Sequence, residues 1–279
     1  MLLNDVVLGR ELCRLEEKLK MKVVILCGGM GTRLKEETEY RPKPLVEIGG
    51  KPILWHIMKI YAHYGLEDFI LSLGYKGRMI KEYFYNYELL NNDFTIEIGN
   101  QKNIEVHSNH TEKGWRVTLA DTGDKALKGA RLKRVQKYID DDQFMLTYGD
   151  GIANVDIESL LEFHRNHGKL ATVTGINPAS RFGELKTKGN QVESFSEKSK
   201  NGDGLINGGF FVFNRGIFDY LSENENCDLE IGPLEKLAAE GQLMVYKHRG
   251  FWSCMDTIRD MEYLNKLWRE GQAVWKVWN

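Results

Sequence analysis

Cysteine is scarce. The four present in 279 residues (Cys13, Cys27, Cys227 and Cys254) are scattered, with no C-x-x-C pair. That excludes a disulfide scaffold and makes a reducing cytoplasm the default setting. Long apolar runs are missing too: none approaches the roughly 18 residues that span a bilayer. Glu11, Arg14, Glu16 and Glu17 interrupt any apolar core of the kind a signal peptide needs. Neither sign of charge is in excess. Lys and Arg number 38 against 40 Asp and Glu, a net charge of −2, so no global basic field draws in nucleic acid or an anionic membrane. Any phosphate recognition must therefore be local. There is no internal repeat, no low-complexity tract and no linker rich in Pro, Gly or Ser. A G-x-S-x-G elbow is absent, which disfavours a covalent serine hydrolase. His164 and His167 share a helix face and His107 and His110 fall in a polar loop, neither pair with a Cys or Glu at metal-site spacing.

What is present is an ordinary globular composition, 42% hydrophobic and 28% charged, able to bury a sizeable core in one large domain or two small ones. The first convincing strand is Lys22–Cys27, a short run rich in Val and Ile. Apolar spacing predicts a helix over Ile53–Tyr64, with Pro52 at its start, a strand over Asp68–Leu73 and a helix over Lys76–Tyr87. This alternation is a parallel α/β pattern. Residues 91–123 read instead as short, half-exposed strands. Helices are expected at Lys128–Tyr138, Asp156–His167 (capped by Asp156), Ile217–Leu221, Pro233–Glu240 and Asp256–Glu270. Further strands are expected at Phe144–Tyr148, Leu170–Ile176, Gly183–Lys186, Val192–Ser196 and Gly208–Phe213. Leu8, Leu12, Leu15 and Leu19 lie at helical spacing, so residues 1–20 read as an N-terminal extension, helical or disordered, with Met21 an equally good natural start.

The chain is organised around Met21–Pro52. Gly28, Gly29 and Gly31 follow directly on the first strand, where they allow tight turns and close approach of a ligand to the main chain. Successive N–H groups in such a turn form an anion-binding concavity. The glycines alone fit a connecting turn equally well; Arg33 and Lys43 nearby favour phosphate. The loop is neither of the two commonest phosphate loops. Arg33-Leu34 stand where a P-loop needs Lys-Ser/Thr, and Leu34 occupies the third glycine position of a dinucleotide fingerprint, with Lys35–Glu39 reading as loop. Asp150, between Gly149 and Gly151 at a strand end, is either a turn carboxylate or a ligand at the edge where α/β sheets bind. Asp256 taken alone reads as a helix cap. Lys128, Arg131, Lys133 and Arg134 read as a solvated helix face, Glu197-Lys198 as a charged turn, and Asn207–Gly209 as donors to a ligand or the start of a strand.

Gly28–Leu34 followed by Pro42-Lys43-Pro44 resembles the signature of the sugar-1-phosphate nucleotidyltransferases. Gly31–Thr38 and Arg41–Met58 are similar in particular to that family's glucose-1-phosphate cytidylyltransferases. The likeness continues through Asp121–Gly123, Gly129–Arg134, Tyr148–Gly151, Ile206–Phe211, Gly250–Trp252 and Met255–Thr257, covering essentially everything from Met21 to Asn279. The resemblance implies a single α/β domain over 21–279, a mostly parallel, Rossmann-like nucleotidyltransferase sheet with a smaller β-rich sugar-binding region. It implies Mg²⁺-dependent transfer of CMP from CTP to α-D-glucose 1-phosphate, giving CDP-glucose and diphosphate for bacterial deoxysugar and O-antigen precursors. It further implies a cytoplasmic homo-oligomer, hexameric by analogy, with no nucleic-acid or membrane partner.

Carried over position by position, the resemblance places Leu26, Cys27, Gly28, Gly29, Met30, Gly31, Thr32, Arg33, Lys43, Thr122, Arg131 and Gly149 around the nucleotide. Arg33, Lys43 and Asp150 are its expected catalytic residues and Asp150 with Asp256 its metal ligands. Glu197, Lys198, Asn207 and Gly208 are expected at the sugar phosphate. Two alternatives stand beside this: an enzyme preferring UTP or dTTP, and a non-catalytic sugar-nucleotide sensor on the same fold.

Overall fold

The computed structural model describes residues 21–99, 103–107, 110–177 and 204–278, together with the strands Glu184–Lys188 and Gln191–Ser196. The leucine-spaced segment 1–20 lies outside the described residues. An eight-stranded sheet organises the rest. β1 (Lys22–Cys27), β2 (Asp68–Leu73), β3 (Arg116–Asp121) and β4 (Gln143–Tyr148) form its parallel half, in the order β3-β2-β1-β4. In the other half are β5 (Ala171–Ile176), β6 (Ile206–Asn207), β7 (Phe211–Asn214) and β8 (Leu243–His248). β7 bridges antiparallel from β4 to β5, β6 pairs antiparallel with β5, and β8 runs parallel to it. The mostly parallel α/β sheet expected from the sequence is present. Among the described residues no helix is long and apolar enough to cross a membrane.

The continuous apolar run of β1 suits a strand covered on both faces. Successive side chains point to opposite sides. Val23, Ile25 and Cys27 accordingly enter one core and Val24 and Leu26 the other. The first core is closed by α1 (Ile53–His63), through Ile53, Ile57 and Tyr61, and the second by Leu132 and Val135 around α3 (Lys128–Arg134). Register sets the functional edge. Cys27 lies opposite Leu73, Leu73 opposite Asp121, and Leu26 opposite Tyr148, so β1 to β4 end together.

Several elements depart from the sequence reading. Lys35–Thr38 is a one-turn helix, with Glu36 and Glu37 in its first turn where the helix dipole favours acids. Lys76 takes φ 52°, so α2 starts at Gly77 and ends at Tyr85, followed by the short helix Tyr87–Asn91. Within 91–123 only Asp93–Ile96 and Ile104–His107 form a separate hairpin; Arg116–Asp121 joins the central sheet. β8 was not anticipated. α4 (Ile157–His167) is capped by Asp156, which accepts from the Ser159 amide at 2.9 Å. α5 (Ile258–Arg269) is capped by Thr257 in a reciprocal box with Asp260. Asp256 therefore stands one residue outside the helix and is not its cap.

Two buried histidines give the fold a pH dependence. His56 contacts the Ile48 carbonyl through Nε2 at 2.8 Å and accepts from Trp275 Nε1 through Nδ1 at 3.4 Å. His164 sits between Thr172 Oγ1 at 2.8 Å and Asn214 Oδ1 at 3.2 Å. Burial pulls each pKa down from 6.5 to about 4. Between those values the unfolded chain binds protons that the folded chain refuses, so stability is full above pH 6.5 and falls as pH drops toward 4. Each histidine is expected to cost about 2 kcal/mol at pH 5 relative to neutral pH. Urea unfolding midpoints at pH 7.5 and pH 5 measure this; equal midpoints would contradict it.

Candidate active site

The chain turns at Gly149-Asp150 and continues as Gly151–Ala153, which pairs antiparallel with Trp252–Cys254. Cys254 lies opposite Gly151, and the Met255 amide donates to the Asp150 carbonyl at 2.9 Å. This two-stranded junction brings Asp150 and Asp256 to one place. Lys43 completes it from a short turn, Lys43–Leu45, between Pro42 and Pro44. Its side chain is only 10% exposed, and Nζ reaches Asp150 Oδ2 at 2.6 Å and Asp256 Oδ1 at 2.5 Å. Arg33 Nη1 takes the other oxygen of Asp256, Oδ2, at 2.7 Å, although its side chain is 76% exposed. Cations and carboxylates thus alternate in a chain.

Burial works against the charge on Lys43, but the Asp150 carboxylate and the bonds to both aspartates outweigh it and hold the lysine above its usual pKa. Burial likewise pushes Asp256 up, and Lys43 and Arg33 overcome it and hold the carboxyl below its usual 3.8. Both groups are charged at neutral pH. Oxygens of Asp150 and Asp256 and the Cys254 sulfur lie within 4.8 Å of one another, a cluster able to hold a divalent cation. Cys254 escaped the sequence reading. Its position two residues before Asp256, on the same face of an extended segment, was the available signal.

The glycine loop lies above this junction. Gly31 takes φ 63°, a left-handed conformation that favours glycine, and Thr38 Oγ1 donates to its carbonyl at 3.1 Å. Among the described residues the amides of Gly29, Met30 and Gly31 donate to no protein carbonyl. Gly29, Met30, Thr32 and Arg33 are exposed. Leu26 and Cys27, expected beside the nucleotide, have core side chains and offer a ligand only their main chain; even there Leu26 O accepts the Gly149 amide at 3.0 Å.

Arg131 corrects the reading of a solvated helix face. It is 4% exposed. Nη1 donates to Leu73 O at 3.0 Å, Thr122 Oγ1 at 2.9 Å and Gly123 O at 2.8 Å. Nη2 donates to Gly28 O at 3.0 Å and Asp124 O at 3.2 Å. Thr122 is buried as well and passes its own proton to Leu73 O at 2.6 Å. The guanidinium lies so close to the backbone of Gly28 and Gly74 that a Cβ would fall 2.1 Å and 2.3 Å from its atoms. The rest of the basic helix is also engaged: Lys133 donates to Phe218 O, Arg134 to Thr122 O and Glu223 O, and Lys128 pairs with Glu230.

On the other side, Asn207 is exposed beside Tyr148, while Gly208 is buried with its amide on Thr174 O at 2.9 Å and its carbonyl on Trp252 Nε1 at 2.8 Å. The main chain of Gly208 is thus held within the protein. Glu197 and Lys198 lie outside the described residues.

A parallel sheet ending in a glycine loop, with lysine and two aspartates beneath it, defines a phosphate-handling α/β protein. The chain belongs to the nucleotidyl transferase family, which matches residues 22–269. It is 53% identical over 259 residues to glucose-1-phosphate cytidylyltransferase of Salmonella typhimurium, covering 92% of this chain and 100% of that protein. Identity to the protein of that name from Salmonella typhi is also 53%, over the same 92% and 100%. Apo UDP-glucose pyrophosphorylase superposes with a TM-score of 0.65 at 16% identity, over 90% of this chain and 99% of that one, a likeness of fold alone.

The Arg131 packing predicts a contrast between two glycines. Gly74→Ala forces the guanidinium off its carbonyls and is expected to cost about 3 kcal/mol, since bonds to a buried charge are lost. Gly29→Ala meets nothing within 4 Å and is expected to stay within about 0.5 kcal/mol of the parent. Chemical denaturation of both variants checks this, and equal midpoints would refute it.

Proposed function

We propose that this chain transfers CMP from CTP to α-D-glucose 1-phosphate, giving CDP-glucose and diphosphate. The observation that carries the chemistry is the meeting of Lys43 with Asp150 and Asp256 at the carboxyl edge of the sheet, next to the glycine loop. The choice of CTP and glucose 1-phosphate is supported by the likeness to the Salmonella typhimurium protein over its whole length. Likeness across the family match also supports reading residues 21–279 as one nucleotidyltransferase domain.

In this reaction a phosphate oxygen of the sugar attacks the α-phosphorus, and the bond from that phosphorus to the bridging oxygen of diphosphate breaks. Two anions must be held together while charge builds on the leaving group, which calls for positioning and electrostatics. The open amides of Gly29–Gly31 and the exposed Thr32 and Arg33 bind the triphosphate. Lys43 presents its ammonium to the reacting phosphates. Thr122 and Arg131 form the floor of the nucleotide site and hold Gly28 against Leu73. Asn207 presents its amide to the sugar, with Glu197 and Lys198 completing that side by family analogy.

The two carboxylates fit Mg²⁺, a hard ion that keeps waters and takes phosphate oxygens from a substrate. Asp150 and Asp256 would hold it, and when bound it supplies positive charge to the phosphates and to the departing diphosphate. The thiol of Cys254 is too soft a donor to add to that set. Lys43 supplies positive charge that lets the two aspartates lie together.

The same family likeness supports a homo-oligomer, hexameric by analogy, in the cytoplasm, feeding deoxysugar synthesis. Exposed Phe94, Ile96 and Ile104 on the outlying hairpin favour self-association.

Diphosphate release measured with glucose 1-phosphate and each of CTP, UTP, dTTP and ATP is expected to favour CTP by at least about 100-fold. Asp150→Asn and Asp256→Asn are each expected to lower kcat by at least about 100-fold. Equal turnover of the four nucleotides would overturn the CTP assignment. Product formation that survives both substitutions together would overturn the roles given to the aspartates.

A further inference from the structure

One polar network borders the sugar side of the site and, apart from Asn207, has no part in the mechanism above. Tyr148, directly before Gly149-Asp150, donates its hydroxyl to Glu230 Oε1 at 2.6 Å. Lys128 Nζ reaches the same oxygen at 2.7 Å. Asn207 Nδ2 donates to Tyr148 Oη at 2.9 Å, and Asn207 Oδ1 accepts the Gly209 amide at 2.9 Å. The second carboxyl oxygen, Glu230 Oε2, is buried and accepts from no donor among the described residues, with the Asp228 side chain beside the carboxyl. A buried acceptor left without a donor costs free energy, so its retention asks for a reason.

That reason is direction. Glu230 Oε1 receives both an ammonium and a phenol, so it acts only as an acceptor. Burial and Asp228 push the Glu230 carboxyl pKa up. Tyr148 has one proton and gives it to Glu230, leaving its lone pairs for the Asn207 amide. The amide must then turn its nitrogen to Tyr148 and its oxygen to the Gly209 N–H. Each bond dictates the next, and the chain runs one way. It ends on an exposed asparagine with a second Nδ2 hydrogen to offer.

We propose that Glu230 is a positioning residue for the sugar phosphate: through the Tyr148 hydroxyl it locks the Asn207 amide in the orientation that presents a donor to a sugar hydroxyl. This rests on the placement of Asn207 at the sugar side in the reading above. Glu230 is brought there by a wide turn, Glu230–Leu234, anchored by buried Leu229 and Leu234 and turned sharply at Gly232 (φ 98°). In the sequence it is one unremarked acid in an acidic loop.

The test is steady-state kinetics on Glu230→Ala, Glu230→Gln, Tyr148→Phe and the Tyr148→Phe/Glu230→Ala double variant. Glu230→Ala is expected to raise KM for glucose 1-phosphate about tenfold, the worth of one oriented hydrogen bond, with kcat and KM for CTP within about twofold of wild type. Glu230→Gln still accepts through Oε1 and is expected to restore most of the loss. Tyr148→Phe, which removes a single oxygen, is expected to match Glu230→Ala, and the double variant to add nothing, as for residues acting in one chain. Equal rises in both KM values, a fall in kcat alone, or no rescue by Gln would overturn the proposal. Should Glu230→Ala fold poorly, Tyr148→Phe decides. A wild-type enzyme that makes no CDP-glucose would instead refute the functional reading, and the variants would then be judged with the sugar 1-phosphate it does use.

Discussion

The Lys43 ammonium stands between the carboxylates of Asp150 and Asp256, with Nζ at 2.6 Å and 2.5 Å from their oxygens. Two carboxylates this close repel strongly in a partly buried setting, and one would be driven to protonate without a cation between them. The lysine therefore lets the junction of Gly151–Ala153 with Trp252–Cys254 close over two neighbouring carboxyl groups. Its stem is fixed by the turn between Pro42 and Pro44, so the glycine loop, the end of β4 and the start of α5 are tied to one point. In the proposed reaction the same ammonium faces the incoming phosphates. Stability of this junction and, in the proposed reaction, affinity for a polyanion thus draw on a single charge.

A second buried cation shapes the neighbouring wall by different means. Among the described residues Arg131 has no carboxylate partner within hydrogen-bonding distance; four backbone carbonyls and the Thr122 hydroxyl take its donors. Dipoles oriented around a fixed guanidinium satisfy it without a second buried charge. The close approach demands glycine at positions 28 and 74. Gly28 thus packs against an arginine from behind, whereas Gly29–Gly31 leave their amides open in front, and one glycine-rich string does two physically separate jobs.

Much of this was legible in the chain. The Val- and Ile-rich run at Lys22–Cys27, the α1 periodicity and the Asp156 cap are local signals, and each appears where spacing put it. The short helix Lys35–Thr38 was missed because four residues carry too little periodicity to register. β8 was missed because its apolar and polar residues alternate weakly and Val245 faces outward. The break at Asn86 was hidden by aromatic residues that continue helical spacing on either side.

Residue order alone determined the strand-and-helix alternation, the anion-friendly loop and, through matching motifs, the family, because these depend on neighbours within a few residues. Tertiary structure decided the rest. It moved Asp256 from helix cap to junction carboxylate by giving the cap to Thr257, and it took Arg131 from a solvent face into a cage of carbonyls. It also joined Glu230, Tyr148 and Asn207 into one directed chain. Those outcomes depend on which strands pair and in what register, which no local periodicity encodes. Here the pairing of Cys254 with Gly151 and of Leu26 with Tyr148 settled them.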